Sequence, residues 1–400
     1  MPFKEHPDHP IRLLIVDHTG LLPPIRKRWE RFAENAQFSV TLVTPTRWRE
    51  NFRWFAAPDQ PSEFMEVVAL PTVRAGDEMK AFYRGGLSAT IRAANPDIVL
   101  MMEESFTLFG LQIFRSVRRF DPNVPIVFYN NNVAGYELAG FRLALLYRAI
   151  GRYVTPKCAL GISVNETADA VLERTGHPIE RRVLFYGIDD EIFTAEGKGA
   201  ARRSVRERFD LPSNATVILY LGRLLRLKGI DELIEAGARL QGAERKVHLL
   251  VVGSGPDRER LGGLVKRLEA EGYVHFVETI PFEQVPELMR GVDAHVLPSR
   301  PEINEQFGRV NVEAMLSGTT AIAARSGGVP EVIADGGFLY DAGDTESLVA
   351  ILRTVVDQTE QVQATTERGQ VRARQTYSVA RFVRDLQSLL FEQAIRSRQR

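Results

Sequence analysis

The sequence predicts an α/β protein made of two doubly wound parallel sheets in tandem. Short apolar runs alternate with longer segments of helical period, which is typical of buried parallel strands joined by helical crossovers. The chain has 400 residues, more than one hydrophobic core usually organises, so two domains of roughly 150 to 200 residues are expected. The alternation lapses in a polar, charge-rich stretch over 191–214 and then resumes. We therefore predict a first domain over 1–190 and a second over 191–377.

Six strands and five helices are predicted in the first domain. The strands lie at 12–16, 38–43, 65–70, 97–102, 126–129 and 159–163. The helices lie at 25–33, 78–93, 108–119, 141–152 and 166–174. Each helix is long enough to cross from one parallel strand to the next.

The second domain repeats this alternation. Its predicted strands lie at 216–221, 246–252, 273–277, 294–297, 320–323 and 337–340. Its predicted helices lie at 231–240, 257–270, 285–291 and 308–317, and a last helical stretch follows at 378–395. Ligands of doubly wound sheets bind at the carboxyl ends of the strands, so two such sheets facing each other would hold a ligand in the cleft.

The composition is that of an ordinary globular protein. Hydrophobic residues make up 44% and charged residues 26% of the chain, and the formal net charge is zero, so no bulk attraction to nucleic acid is expected. The single cysteine, Cys158, lies in an apolar run and is predicted to be a small core residue. No apolar run approaches the roughly 20 residues of a membrane span, so we expect a cytoplasmic protein.

Peripheral contact with the inner face of a membrane stays open at one predicted helix. Residues 141–152 mix leucine and aromatic residues with three arginines. The alternative is a crossover helix with a basic solvent face.

A cation-rich loop follows the first strand of the second domain. Arg223, Arg226 and Lys228 lie in this loop, and a helix is predicted to start directly after Gly229. Arginine grips phosphate oxygens with a bidentate fork, lysine supplies a compact charge, and a helix N-terminus adds unpaired N–H groups. The loop therefore suits a diphosphate, and a solvated basic turn is the alternative.

The segment 300–331 joins two carboxylates to a helix start. Gly308 allows the backbone N–H groups there to approach an anion closely. Glu305 and Glu313 are negatively charged, as a phosphate is, and would repel it. Their carboxylate oxygens can instead accept hydrogen bonds from sugar hydroxyls. Eight helical residues span about 12 Å, whereas the carboxylates of a glycosidase stand roughly 5 to 10 Å apart. The spacing favours two separate contacts on one long ligand, and two solvated helix carboxylates are the alternative.

Metal and dinucleotide motifs are absent from the sequence. It has no D-x-D, no H-E-x-x-H and no Cys/His cluster, so no metal is expected and phosphate charge would be met by Arg223 and Lys228. Residues 253–256 hold two glycines and then a proline, which is not the G-x-G-x-x-G of a dehydrogenase.

Taken together, these motifs resemble those of the GT-B fold retaining glycosyltransferases of family 4, also described as glycosyl transferases group 1. The resemblance covers about residues 183–345 and is specific in order and spacing. It rests on Tyr186-Gly187-Ile188-Asp189-Asp190, Gly222-Arg223 with Lys228-Gly229, Pro298-Ser299, the run EQFGRVNVEAM, and Gly327-Gly328-Val329-Pro330-Glu331-Val332.

The resemblance implies a fold and an activity. The fold would be two Rossmann-like domains facing across a cleft, with the C-terminal helix over 378–400 returning to the first domain. The activity would be that of a hexosyltransferase (EC 2.4) in polysaccharide or glycoconjugate biosynthesis, using a nucleotide-sugar donor and a glycan, lipid-linked or small-molecule acceptor. Transfer would retain the anomeric configuration and would need no protein nucleophile, because the leaving diphosphate takes the acceptor proton on the same face. No metal or cofactor would take part.

The resemblance also assigns roles to residues. Catalytic roles would fall to Arg223, Lys228 and Glu305. Donor-binding roles would fall to Gly222, Ile280, Phe307, Gly308, Arg309 and Glu313, with Glu313 on the ribose and the main chain near Ile280 facing the base.

The first domain matches the family loosely. Asn130-Asn131-Asn132 stands where many relatives carry a histidine, so that residue's role does not transfer, and Asn130 is only a candidate. His18 and Gly20 after the first strand, and Glu103 and Glu104 after the strand at 97–102, are the other acceptor-side candidates. A capping or core role for His18, and a solvated strand end for the two glutamates, are the alternatives.

Two further hypotheses belong to other classes. A GT-B-type phosphorylase or epimerase would use the same cleft. A nucleotide- or glycan-binding subunit that has lost turnover is favoured by the missing histidine.

Overall fold

The computed structural model of the chain describes residues 9–50, 53–58, 60–133, 141–241 and 247–398. The described residues form two compact units. Unit 1 lies within Met1–Gly187 and Ala380–Arg400, and unit 2 is Ile188–Val379.

Unit 1 contains a seven-stranded parallel sheet, two short antiparallel pairs and crossover helices. Its strands are β1 Ile11–Val16, β2 Phe38–Pro45, β3 Arg47–Glu50, β4 Arg53–Ala56, β5 Glu66–Leu70, β6 Thr72–Val73, β7 Phe82–Tyr83, β8 Ile98–Met101, β9 Ile126–Asn130, β10 Leu160–Ser163 and β11 Arg181–Val183. Its helices are α1 Pro23–Ala33, α2 Leu87–Ala94, α3 Leu108–Phe120, α4 Phe141–Val154 and α5 Glu166–Arg174. The last helix of the chain, α14 Val379–Arg398, enters this unit at Ala380.

The strand order of the large sheet in unit 1 reverses at β1. The order is β11-β10-β9-β8-β1-β2-β5, and all neighbours are parallel. Val16, the last residue of β1, pairs with Val43 on one side and with Met101 on the other. The loops that follow β1 and β8 therefore leave the same edge of the sheet at the point of reversal, where open α/β sheets bind ligands.

Unit 2 contains a six-stranded parallel sheet. Its strands are β12 Thr216–Leu221, β13 Val247–Val252, β14 Val274–Val277, β15 Ala294–Leu297, β16 Thr320–Ala324 and β17 Phe338–Tyr340. Its helices are α6 Lys198–Arg208, α7 Ile230–Arg239, α8 Arg258–Arg267, α9 Val285–Gly291, α10 Arg309–Leu316, α11 Val329–Ile333, α12 Thr345–Val356 and α13 Glu360–Tyr377.

The sheet of unit 2 also reverses once. Its order is β14-β13-β12-β15-β16-β17, with β12 and β15 as the two central strands. The central strands are apolar and almost wholly buried because helices cover both faces of a parallel sheet. The loops after β12 and β15 meet at the reversal, and these are the two loops in which the sequence predicts phosphate and sugar contacts.

One predicted helix is wrong. Residues 78–93 were expected to be helical throughout, but Phe82–Tyr83 form β7 and pair with Thr72–Val73, and α2 begins only at Leu87. Gly86 precedes α2 with φ 87°, which is not a helical conformation. The glycine pair at 85–86 therefore interrupts a segment whose apolar spacing had suggested one helix.

The polar stretch 191–214 is not an extended linker. It holds α6, whose Arg206 is buried and donates to Asp293 at 2.8 Å and to the carbonyl oxygen of Ala215 at 2.7 Å. Charge composition hid this helix because the guanidinium groups of Arg202 and Arg206 pair with Asp293 inside unit 2. The sequence also missed the β3–β4 hairpin and the helices α12 and α13.

Two smaller expectations concern the bulk properties of the chain. Cys158 is buried in unit 1, as its apolar surroundings predict. Among the helices of the described residues, none combines the length and the apolar character that crossing a membrane requires.

Candidate functional site

Lys228 and Glu305 meet at the reversal point of unit 2. Lys228 ends a turn of 3-10 helix after β12, and its ammonium pairs with the carboxylate of Glu305, which lies in the loop after β15. The Ser299 hydroxyl donates to the same carboxylate oxygen. Both ionic side chains are largely buried, with 11% and 13% of their side-chain surface exposed. A cation, a carboxylate and a hydroxyl thus converge where the fold places a ligand.

Gly229 holds the two loops of this site together. It has φ 64°, and a Cβ at this position would lie 2.0 Å from the carbonyl oxygen of Pro298. A glycine is required both by the backbone conformation and by the close approach. The position of Lys228 relative to the loop that carries Glu305 depends on this contact.

A second glycine closes the loop after β16 onto Glu305. Gly327 has φ 52°, and a Cβ there would lie 2.2 Å from the carbonyl oxygen of Glu305. The N–H of Gly328 donates to that oxygen at 2.8 Å. Gly327 and Gly328 therefore fix the backbone of Glu305.

Arg300 and Asp231 connect these loops to the helix behind them. The Arg300 guanidinium donates to Asp231 Oδ2 at 3.0 Å, and Arg260 donates to the same oxygen at 3.1 Å. The Arg300 backbone N–H donates to Leu227 O at 2.9 Å, directly before Lys228. The sequence did not point to this network because its members are 29 to 69 positions apart.

The two predicted carboxylates have different partners. Glu313 is buried in α10, and its nearest cation is Arg309, with Nη2 3.7 Å from Oε1. Burial raises the pKa of Glu313, and Arg309 opposes that shift. Glu305, by contrast, is bound by Lys228 and Ser299. Among the described residues, the two carboxylates therefore have no partner in common: Arg309 faces Glu313, and Lys228 with Ser299 faces Glu305.

The other donor-side candidates surround the start of α10 and the loop after β12. Phe307 is buried with its ring edge-on to Tyr377, and Gly308 caps α10 with φ 67°. Arg223 is exposed, while its carbonyl oxygen accepts a hydrogen bond from the Tyr220 hydroxyl at 2.7 Å. Gly222 directly precedes Arg223, and Ile280 is partly buried three residues after β14.

In unit 1, His18 and Glu103 form a buried pair at the other reversal point. His18 Nδ1 lies 2.7 Å from Glu103 Oε1, and the backbone N–H of His18 donates to the same oxygen at 3.1 Å. Burial alone would lower the pKa of His18, but the charges of Glu103, Glu78 and Asp17 outweigh burial and raise the pKa to about 10. His18 therefore stays protonated at neutral pH, held by Glu103.

Glu104 lies beside this pair. Its Oε1 accepts from the backbone N–H of Asn131 at 2.5 Å, and its Oε2 has no hydrogen-bond partner among the described residues. Burial raises the pKa of Glu104 to about 8, against the opposing hydrogen bond from Asn131. Near pH 7 this side chain is therefore mostly an uncharged acid.

The remaining acceptor-side candidates have backbone or structural contacts. Asn130 donates its amide to Ser163 at 3.1 Å and to Ala168 O at 3.0 Å, so its side chain serves the packing of unit 1. Gly20 lies in the loop after β1 and donates to Asp17 O at 3.1 Å. Of the three asparagines, Asn131 and Asn132 rather than Asn130 contact Glu104 through their backbone N–H groups.

Two aromatic side chains that the sequence did not single out complete the neighbourhood of His18. The Trp48 ring centroid lies 4.6 Å from that of His18, and Tyr83 packs edge-on against Phe109. Trp48 belongs to the unpredicted hairpin, and Tyr83 to the strand that was mistaken for helix. Both errors of secondary structure therefore hid residues of this site.

No metal-binding group is apparent in the parts of the chain that the structure describes. Within them, no three or more His, Cys, Asp or Glu side chains come together in a way that suits a metal ion.

Comparisons with known proteins place these features in context. Residues 201–372 match the family model described as glycosyl transferases group 1. A D-inositol 3-phosphate glycosyltransferase from Corynebacterium efficiens is 34% identical over 203 residues, which cover 49% of this chain and 47% of that protein. The chain thus spans about half the length of the curated relatives it matches.

Solved structures resemble the chain over nearly its full length. Sucrose-phosphate synthase from Thermosynechococcus elongatus has a TM-score of 0.74 at 18% identity, covering 96% of this chain and 98% of that one. Anabaena HepE in complex with UDP-glucose has a TM-score of 0.70 at 20% identity, covering 95% and 99%. These likenesses confirm the predicted α/β fold of two Rossmann-like halves of the GT-B type, and the sequence of the second half, over residues 201–372, matches glycosyl transferases group 1.

Proposed function

We propose that the protein transfers a hexosyl group from a nucleoside-diphosphate sugar to an acceptor hydroxyl, with retention at the anomeric carbon and without a metal. The observation that carries the proposal is the convergence of Lys228, Glu305 and Ser299 at the reversal point of unit 2. The match of residues 201–372 to glycosyl transferases group 1 supports it independently.

The donor-side residues suit the parts of such a donor. Lys228 and the exposed Arg223 would bind the diphosphate, aided by the N–H groups at the start of α10. Glu305 would accept a hydrogen bond from a sugar hydroxyl, and Glu313 from the ribose. Lys228 is paired with Glu305, so a diphosphate that binds its ammonium would compete with that carboxylate.

The reaction needs no protein nucleophile. The bond between the anomeric carbon and the diphosphate oxygen breaks, the bond to the acceptor oxygen forms on the same face, and the acceptor proton passes to the leaving diphosphate. The protein would stabilise the charge that grows on the diphosphate, which is often the largest catalytic contribution. Lys228 and Arg223 would supply the compensating positive charge in place of a metal.

Ligand-dependent thermal stability provides the first test. We expect one of uridine, guanosine or adenosine diphosphate, and its sugars, to raise the unfolding midpoint in the presence of EDTA, because a ligand that binds only the native state stabilises it. UDP and UDP-glucose are the first probes, since the Anabaena HepE structure contains UDP-glucose. A requirement for a divalent cation would contradict metal independence.

Turnover then distinguishes the alternatives. With donor and a panel of acceptors, released nucleoside diphosphate and an NMR-determined product of unchanged anomeric configuration are expected. An inverted product contradicts retention. Phosphate-dependent release of a sugar 1-phosphate would indicate a phosphorylase. Conversion of the donor sugar into its epimer would indicate an epimerase, and nucleotide binding without turnover would indicate a binding subunit.

We also propose that α4 contacts an anionic membrane surface. Four of its apolar side chains are exposed: Leu143 by 37%, Leu145 by 50%, Leu146 by 44% and Tyr153 by 48%. Residues 141–157 contain three arginines and one lysine but no carboxylate. Partial insertion of leucines beside basic residues is the usual mode of interfacial binding.

Vesicle sedimentation tests the membrane contact. We expect the protein to sediment with phosphatidylglycerol-containing vesicles and less with phosphatidylcholine alone. Leu145→Glu combined with Leu146→Glu should weaken binding about tenfold or more, because two buried leucines are lost and two negative charges are gained. Leu268→Glu, at a leucine that is 36% exposed in unit 2, is the matched control. If both variants sediment equally with the vesicles, α4 is a solvated crossover helix and does not contact the membrane.

A further inference from the structure

We infer that unit 1 recognises an uncharged polyol and rejects the phosphate monoester of the same compound. This inference, which rests on the proposed function, concerns the acceptor cluster, defined as His18, Glu78, Tyr83, Glu103 and Glu104. The cluster belongs to the reversal point of the unit 1 sheet, where loops after β1 and β8 leave the same edge.

The charges of the acceptor cluster disfavour an anion. The loops at 17–22, 102–107 and 130–133 contain no lysine or arginine. Their one cation, His18, is held by Glu103 at 2.7 Å. The carboxylate of Glu78 lies 3.9 Å from His18 Nε2, with 62% of its side chain exposed, so it stands on the solvent side of the histidine. A phosphate that approaches His18 therefore meets a carboxylate first.

Two basic residues on the segment before β7 do not compensate. Lys80 is paired with Asp77 at 3.8 Å. Burial raises the pKa of Tyr147, a residue of α4, and the charge of Arg74 acts against this larger effect. Recognition of a phosphate usually requires a guanidinium fork or a free helix N-terminus. The start of α3 does not provide the latter freely, because the Thr107 side chain already accepts from the N–H of Gly110 at 3.0 Å.

The buried polar atoms of the region suit hydroxyl groups. The Tyr83 hydroxyl and the Trp48 indole N–H lie in side chains that are 1% and 0% exposed, and neither has a hydrogen-bond partner within the described ranges. Glu104 Oε2 is a third such atom. Burial, followed by the charges of Glu103 and Asp17, raises the pKa of Tyr83.

Unpaired polar atoms in a folded interior are uncommon and call for a partner. A hydroxyl both donates and accepts, so a polyol offers a matching group to the unpartnered carboxyl oxygen of Glu104. A fully ionised phosphate group offers hydrogen-bond acceptors but no donor. The unpartnered buried atoms and the distribution of charge are independent observations. Both point to an uncharged polyol as the acceptor.

The match to the family model does not determine this acceptor. The glycosyl transferases group 1 match covers residues 201–372, all within unit 2. The acceptor cluster belongs to unit 1, which that match does not reach.

Binding of matched neutral and phosphorylated compounds tests the inference. The full chain is saturated with UDP and titrated by NMR with inositol and inositol 3-phosphate, glucose and glucose 6-phosphate, and fructose and fructose 6-phosphate. At least one neutral member should bind about tenfold tighter than its phosphate. Tighter binding of a phosphate, or binding of UDP without binding of any neutral compound, would overturn the inference.

Charge reversal at the rim sharpens the test. Glu78→Lys, at an exposed position, should raise the affinity for the phosphate member about tenfold and leave UDP binding unchanged. Glu63→Lys is the matched control, because Glu63 is exposed in unit 1 beside the amino end of β5. If both variants change phosphate affinity equally, the effect is one of net charge and the cluster is not the site.

The contact of Glu104 is tested by a pair of variants. Glu104→Ala should lower the affinity for the neutral compound about fivefold or more. Glu104→Gln keeps an uncharged hydrogen-bonding group and should retain that affinity. Failure of the glutamine variant to restore binding would contradict a direct contact. If no nucleotide binds at all, the proposed function fails, while the preference of unit 1 for neutral compounds is still measured by these titrations.

Discussion

Replacing Lys228 by methionine is expected to lower the rate of glycosyl transfer by about 10²- to 10³-fold, the loss typical of removing one group that stabilises transition-state charge. Methionine keeps the length and apolar stem of the side chain but removes the ammonium that pairs with Glu305. The turnover number should fall far more than acceptor affinity, because the charge on the diphosphate grows during bond breaking. Steady-state kinetics with donor and acceptor varied separately measures both quantities.

The same variant leaves Glu305 without its cation, and this requires a control for stability. Breaking a buried ion pair by removing one partner costs up to about 3–5 kcal/mol, and the partial exposure of this pair places the cost toward the lower end. Combining Lys228→Met with Glu305→Gln should restore much of the stability and none of the activity. Lys266→Met, at an exposed position of α8, should leave both unchanged. Turnover within about threefold of the parent in Lys228→Met would contradict the role of its charge.

The central architecture follows from patterns that are local in the sequence. A buried parallel strand is a short apolar run with helical segments on either side, and most predicted strands, such as β12 and β15, agree closely with the structure. The donor-side loops are also local, since Lys228 and Glu305 each directly follow a central strand. Their pairing across 77 positions depends on the strand order, which no local pattern contains.

Unit 1 was harder to predict for the same reason. His18 and Glu103 are 85 positions apart and meet because β1 and β8 are neighbours in the sheet. Trp48 reaches His18 from a hairpin whose arginine-rich strands carry no strong apolar run. Tyr83 lies in a segment with helical spacing that a glycine pair interrupts. Long-range contact, rather than residue type, is what sequence reasoning lacked here.

The largest structural effect is expected from Gly229→Ala. The residue has φ 64°, and a Cβ would lie 2.0 Å from the carbonyl oxygen of Pro298, a backbone atom that cannot rotate away. Gly197→Ala is the matched control, because Gly197 has φ 75° but nothing within 4 Å of the added Cβ. The control should lose only the roughly 1 kcal/mol of the left-handed conformation, whereas Gly229→Ala should lose about 2–4 kcal/mol.

Separation of the loops after β12 and β15 would also move Lys228 away from the loop that carries Ser299 and Glu305. We therefore expect Gly229→Ala to weaken UDP stabilisation and to abolish transfer, while Gly197→Ala retains both. Urea unfolding of the two variants, each with and without UDP, measures the structural and the ligand effect together. Equal destabilisation by the two substitutions would mean that the positive φ alone matters, and that the contact with Pro298 does not hold the site together.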